Sequence, residues 1–175
     1  FFFRFYAPNN AILSVTGNIS FEDVKTLAEK WFGGIPRRDV PQRQLPQEPR
    51  QTKERRLEVT RNVPVDALYM VFHMCDRLHP NYYTYDMLSD LLSNGQSSRF
   101  VQHLVKKRQV FSHIDAYISG SIDAGLFHIT GKPALGISLE EAEAAIWEEL
   151  EAMKAETVSD EELDKVKNRY ESEQI

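Results

Sequence analysis

The sequence predicts an α+β domain of two layers, a mostly antiparallel β-sheet covered by helices. Three observations predict it. Within Leu92–Gly120 the hydrophobic period changes: Phe100, Val101, Leu104 and Val105 recur at helical spacing, then Ile114, Ala116 and Ile118 alternate with His113, Asp115 and Tyr117. A second strand, Gly125–Gly131, follows Ser112–Ser119 with no room for a crossover helix, so the two must pair antiparallel. Third, Ser20-x-x-Asp23, Ser138-x-x-Glu141 and Ser159-x-x-Glu162 each stand where a helix should open, the hydroxyl taking a free backbone N–H.

Taken in order, Ala11–Gly17 is short, apolar and bounded by turn residues, as a buried strand is. The next helix carries Val24, Leu27, Ala28 and Trp31 on one face and stops at Gly33-Gly34, glycine being suited to a left-handed C-cap. Residues 35–51 hold four of the eight prolines and read as an extended connection inside a single domain spanning 1–175. Lys53–Arg61 alternates weakly and is highly charged, which suits an edge strand. Ala67–Met74 is apolar on both faces and is expected at the centre of the sheet. Pro80 fits the first turn of a helix that buries Tyr85, Leu88 and Leu92.

The central stretch then opens at Asn94-Gly95, a turn signal, with Ser97 or Ser98 placed to cap the following helix. Lys106, Lys107 and Arg108 favour that helix's C-terminus, although a basic run could also contact a partner or a peptide. After the two strands come two helices. Ala142, Ala145, Ile146, Leu150 and Met153 face inward on the first, and Leu163, Val166 and Tyr170 on the second. The expected order is β-α-β-β-α-α-β-β-α-α.

Composition closes off several functions. A net charge of −5 without a clustered basic face argues against nucleic acid. No apolar run approaches the ~20 residues that cross a bilayer. Cys75 is the only cysteine, so neither an internal disulfide nor a cysteine zinc site is available, and its strand is expected to be buried. No phosphate-binding glycine motif is present. Phe1-Phe2-Phe3 reads as the end of an apolar element that began earlier, and Glu161–Ile175 has no stop signal, so the chain is expected to be a piece of a longer one.

Side chains that could carry chemistry are scattered. His73, His79, His103, His113 and His128 show no paired helical spacing, and only His113 and His128 could face alike on neighbouring strands. Arg99 is expected to form an ion pair at the helix start. Tyr82, Tyr83 and Tyr85 are too close in sequence to share one helix face, leaving at least one exposed for contact.

Three blocks together resemble a known family. They are Phe5-Tyr6-Ala7-Pro8-Asn9-Asn10-Ala11 through Val15-Thr16-Gly17-Asn18, Trp31-Phe32-Gly33-Gly34-Ile35-Pro36, and Gly95-x-Ser97-Ser98-Arg99-Phe100-x-x-x-Leu104. In that order they resemble the second domain of the inverted-zincin metallopeptidases, the group of pitrilysin, insulin-degrading enzyme and mitochondrial processing peptidase. The resemblance implies a zinc-dependent endopeptidase as parent, with zinc held by H-x-x-E-H in another domain and none here. It implies as partners an N-terminal zinc-bearing domain of the same chain, a second half or subunit of the same fold, and a peptide substrate. An arginine and a tyrosine that hold substrate in some members fall at Val105 and Ser112, where both are missing. Arg108 and Tyr117 differ in spacing and do not inherit the role. No catalytic residue and no metal ligand is therefore assigned in this chain. That departure suits a domain from the zinc-bearing half, and equally a non-catalytic scaffold or peptide-binding member.

Overall fold

Three antiparallel strands in the order β1-β3-β2 form the sheet of the computed structural model: β1 is Leu68–Met74, β2 Phe111–Ser119 and β3 Gly125–Pro133. The structure describes residues 1–40, 46 and 48–173, so 41–45 and 47 of the expected connection, and the chain's last two residues, lie outside the described residues. The chain forms two compact units, Phe1–Glu58 and Val59–Ile175.

In the first unit, a single turn α1 (Phe2–Phe5) precedes α2 (Phe21–Phe32). Ser20 caps α2 as expected, its Oγ accepting from the Asp23 N–H at 3.1 Å. Only Val24 and Ala28 of the expected apolar face are half-covered; Leu27 and Trp31 are exposed. Gly33 is right-handed (φ −61°), so left-handed capping is not what stops the helix there. A side chain at Gly33 would instead run into the Glu29 carbonyl. Arg38 is tied back to the first turns, its Nη1 donating to Phe3 O at 2.9 Å and its N–H to Asn9 Oδ1 at 3.0 Å.

Two expected strands are corrected. Residues 11–17 and 53–61 carry no strand; Ile12 is 99% and Leu57 89% exposed. Residues 11–17 are apolar and 53–61 alternate weakly, but a strand is defined by a partner ladder, and none takes up these backbones among the described residues.

The second unit holds the sheet, α3 (Tyr82–Ser93), a π-helix (Val101–Lys107), α4 (Leu139–Ala155) and α5 (Asp160–Glu173). β1 lies at an edge rather than at the centre, which belongs to β3. The apolar residues on both faces of β1 caused the error. Leu68, Met70, Phe72 and Met74 turn inward, whereas Tyr69 (71%) and Val71 (50%) are exposed. The core lies between the sheet's inner face and the helices: Phe100, Leu104, Ile129 and Ile146 are fully buried, and the Phe72 ring meets Trp147 of α4 edge-on at 5.8 Å. Helix α4 buries Ala142, Ala145 and Ile146 behind the expected Ser138 cap. Helix α5 buries Val166 behind a full capping box, Ser159 Oγ accepting from Glu162 N–H while Ser159 N–H donates to Glu162 Oε2, both at 3.3 Å. Pro80 precedes α3, which begins two residues later with Asn81 as N-cap.

Candidate functional site

The loop after α3 places the side chains of the central stretch. Gly95 takes the left-handed region (φ 89°), and a Cβ there would lie 2.7 Å from Arg169 Nη1 of α5, so glycine lets the guanidinium close on the turn. Ser98 does not cap forward as expected. Its Oγ donates back to the Gly95 carbonyl at 2.8 Å, stiffening the turn, while its own carbonyl accepts from Gln102 N–H. The following helix is wound as a π-helix, with Arg108 N–H donating to His103 O at 2.9 Å. Gln109 then adopts φ 54° and Val110 N–H reaches Leu104 O at 2.8 Å, which turns the chain into β2.

Arg99 forms the expected ion pair. Its Nε and Nη2 donate to Glu162 Oε1 and Oε2 at 2.9 and 3.0 Å, a two-pronged bond across 63 positions. That bond, aided by those from Ser159 and opposed by partial burial, pulls the Glu162 carboxyl from 4.5 down to about 2. A carboxyl depressed in the fold contributes stability in full above its unfolded pKa and loses it as pH falls through the folded one. The wild type should therefore exceed Glu162→Gln by about 1 kcal/mol at neutral pH, after discounting for solvent screening. The difference should shrink between pH 4.5 and 2. Urea denaturation of both proteins across that range checks it; a gap unchanged at pH 2 would count against the ion pair.

The other expected residues do not converge. Val105 is half-buried on the π-helix, and exposed Ser112 donates from Oγ to Lys132 O at 3.0 Å. Arg108 pairs with Glu148 Oε2 at 2.7 Å and His103 Nδ1 meets Glu149 Oε2 at 2.8 Å, both on α4. Tyr117 stacks on His128 at 4.7 Å, and His128 Nε2 lies 2.8 Å from Ser119 Oγ. His113 does share a face with His128. It sits opposite Lys132, however, four residues along β3 from His128 and so ~13 Å away, too far for a shared ion. Among the described residues no group of three or more His, Cys, Asp or Glu side chains could hold a metal. Tyr83 is the exposed tyrosine of its trio and meets Tyr170 of α5 edge-on at 6.3 Å. Cys75 is half-buried just beyond β1, its carbonyl accepting from Gly125 N–H.

Two features escaped sequence reasoning. Buried Ser93 bonds the backbone of Ala116 in β2; nothing in a helix-terminal serine announces that. A groove of about 360 Å³ opens between the 94–98 turn, the π-helix and α5. In the sequence its residues belong to separate features, a turn, a basic helix end and a capped helix.

These arrangements are ion pairs, hydrogen bonds and ring stacks, which position and bind. Residues 1–170 match the family model described as the peptidase M16 inactive domain. The chain belongs to that family. It is 26% identical over 166 residues to the zinc protease PqqE of Helicobacter pylori, covering 93% of this chain and 37% of that protein. To the uncharacterized zinc protease YmxG of Bacillus subtilis it is 26% identical over 165 residues, covering 94% and 39%. The M16 chain thus spans less than two-fifths of the length of either relative. The crystal structure of a protease from Helicobacter pylori superposes with a TM-score of 0.81 at 24% identity, over 90% of this chain and 39% of that one. An M16 inactive domain from Pseudomonas fluorescens superposes with a TM-score of 0.57 at 17% identity, over 62% and 26%. Those likenesses establish the α+β fold of an M16 inactive domain in zinc protease-like proteins. Among the described residues no helix is long and apolar enough to cross a membrane.

Proposed function

We propose that this inactive M16 domain is the non-zinc-binding part of a zinc-dependent endopeptidase, forming chamber wall and the interface between halves. The observation that carries the reading is the family match along residues 1–170. The names of the two relatives, both called zinc proteases and both more than twice as long, support a zinc-bearing domain elsewhere in the parent. Exposed Tyr69, Val71 and Tyr117 on the outer face of the sheet suit a surface that another domain or a peptide covers. In this reading the partners are that zinc-bearing domain, a second half of the same fold, and peptide substrate. The missing arginine and tyrosine, replaced by Val105 and Ser112, suit that reading and equally a second one, a scaffold or peptide-binding member without activity.

Reading the codons upstream of Phe1 separates the two. H-x-x-E-H, with a further glutamate some tens of residues later, favours the protease, and its absence the scaffold. The 175-residue chain alone is expected to retain no zinc after dialysis and to cleave no unstructured peptide. Introducing Val105→Arg with Ser112→Tyr should restore no cleavage, because those residues position substrate and bring no metal. One zinc retained per chain, or hydrolysis stopped by a chelator, would move the chemistry into these residues.

A further inference from the structure

We infer that the groove between the 94–98 turn, the π-helix and α5 binds an acidic segment of a polypeptide, whether the parent is a protease or a scaffold. Its volume, about 360 Å³, falls in the range of sites that enclose small ligands or short peptide stretches. The charge within it is positive although the chain carries −5 overall. Lys106 enters from the π-helix and Lys165 and Arg169 from α5. Lys106 Nζ spends one proton on Gln96 O at 3.0 Å and keeps two for a ligand. Lys165 has no hydrogen-bond or ion-pair partner among the described residues.

The acids lining the groove do not cancel that charge. Both oxygens of Glu162 are taken by Arg99, whose own charge offsets it. Asp90 is occupied by the Asn94 amide at 2.8 Å, leaving it outnumbered. Leu91 and Val166 add apolar side chains to the lining, and Gln102 adds an amide. Cations and apolar side chains lining one groove match carboxylates carried on a chain with apolar residues between them. Phosphate fits less well. It calls for converging backbone N–H groups or a free arginine fork, whereas Ser98 N–H is spent on Gly95 O and Arg99 on Glu162.

The probe is a fluorescein-labelled peptide of repeating Glu-Glu-Leu, titrated by fluorescence polarisation against the purified protein at low salt. A matched peptide with glutamine for glutamate is the control, and inorganic phosphate the competitor. Binding of the acidic peptide alone is expected, weakening about tenfold (1.4 kcal/mol) in Lys106→Gln with Lys165→Gln. Arginine at both positions should restore it. Lys165→Gln singly, whose side chain holds nothing else in place, gives the same direction should the double variant melt early. Failure of the acidic peptide to bind, equal binding of the glutamine peptide, unchanged affinity in the lysine variants, or displacement by phosphate at matched charge concentration would each overturn the assignment.

Discussion

Phe100→Ala is expected to lower folding stability by about 3–5 kcal/mol, the range for truncating a fully buried aromatic ring. Phe100 has no exposed surface and belongs to the cluster that joins Leu92, Leu104, Ile129 and Ile146. It also stands immediately before the π-helix, whose winding fixes its neighbours and leaves little freedom for the surroundings to collapse into the void. Against a total of about 5–15 kcal/mol for an ordinary domain, that loss brings unfolding close to ambient temperature. Urea denaturation followed by circular dichroism measures it, and Phe100→Leu, which refills most of the volume, should recover more than half. A loss under about 1 kcal/mol for Phe100→Ala would mean that the core is organised around something else.

How far the fold could be read from the chain depends on where each element finds its partners. Helices α4 and α5 were legible because Ser138 and Ser159 bond within three residues and the inward faces repeat locally. The hairpin of β2 and β3 was legible because the two strands are neighbours in sequence as well as in space. The position of β1 was not. Exposed Tyr69 and Val71 look the same in sequence as residues buried by a second ladder. Residues 11–17 and 53–61 mislead for the same reason, since a short apolar run or a weak alternation records a preference and only a neighbouring strand realises it. The π-helix leaves no mark in the sequence that a plain helix would not, because Phe100 and Leu104 fall inward under either winding.

The site was legible in residue type rather than in pairing. Arg99 was expected in an ion pair, and the fold supplies Glu162 from 63 positions away. Glu162 also completes its local capping box, so one carboxylate serves both α5's first turn and the distant arginine. The lysines of the groove gave no signal together, because Lys106 and Lys165 meet only through the packing of α5 beside the 94–98 turn.

Ser93→Ala should cost about 2–3 kcal/mol despite removing a single oxygen. Strand β2 is an edge of the sheet, and at Ala116 its outward backbone is buried under the end of α3 instead of facing water. Ser93 Oγ accepts from Ala116 N–H at 2.8 Å, and its one proton lies within reach of Asp115 Oδ1 at 2.8 Å and Ala116 O at 3.0 Å. Alanine fits the space but leaves that N–H buried without a partner, so the loss reflects desolvation without recovery. The same bond closes β2 at this point to any incoming strand, a use of side-chain chemistry to blunt a sheet edge. Amide hydrogen exchange reads the effect directly: Ala116 should lose protection in Ser93→Ala and keep it in Ser93→Thr, which retains the hydroxyl. Full protection of Ala116 in the alanine variant would show that the edge is satisfied by another group.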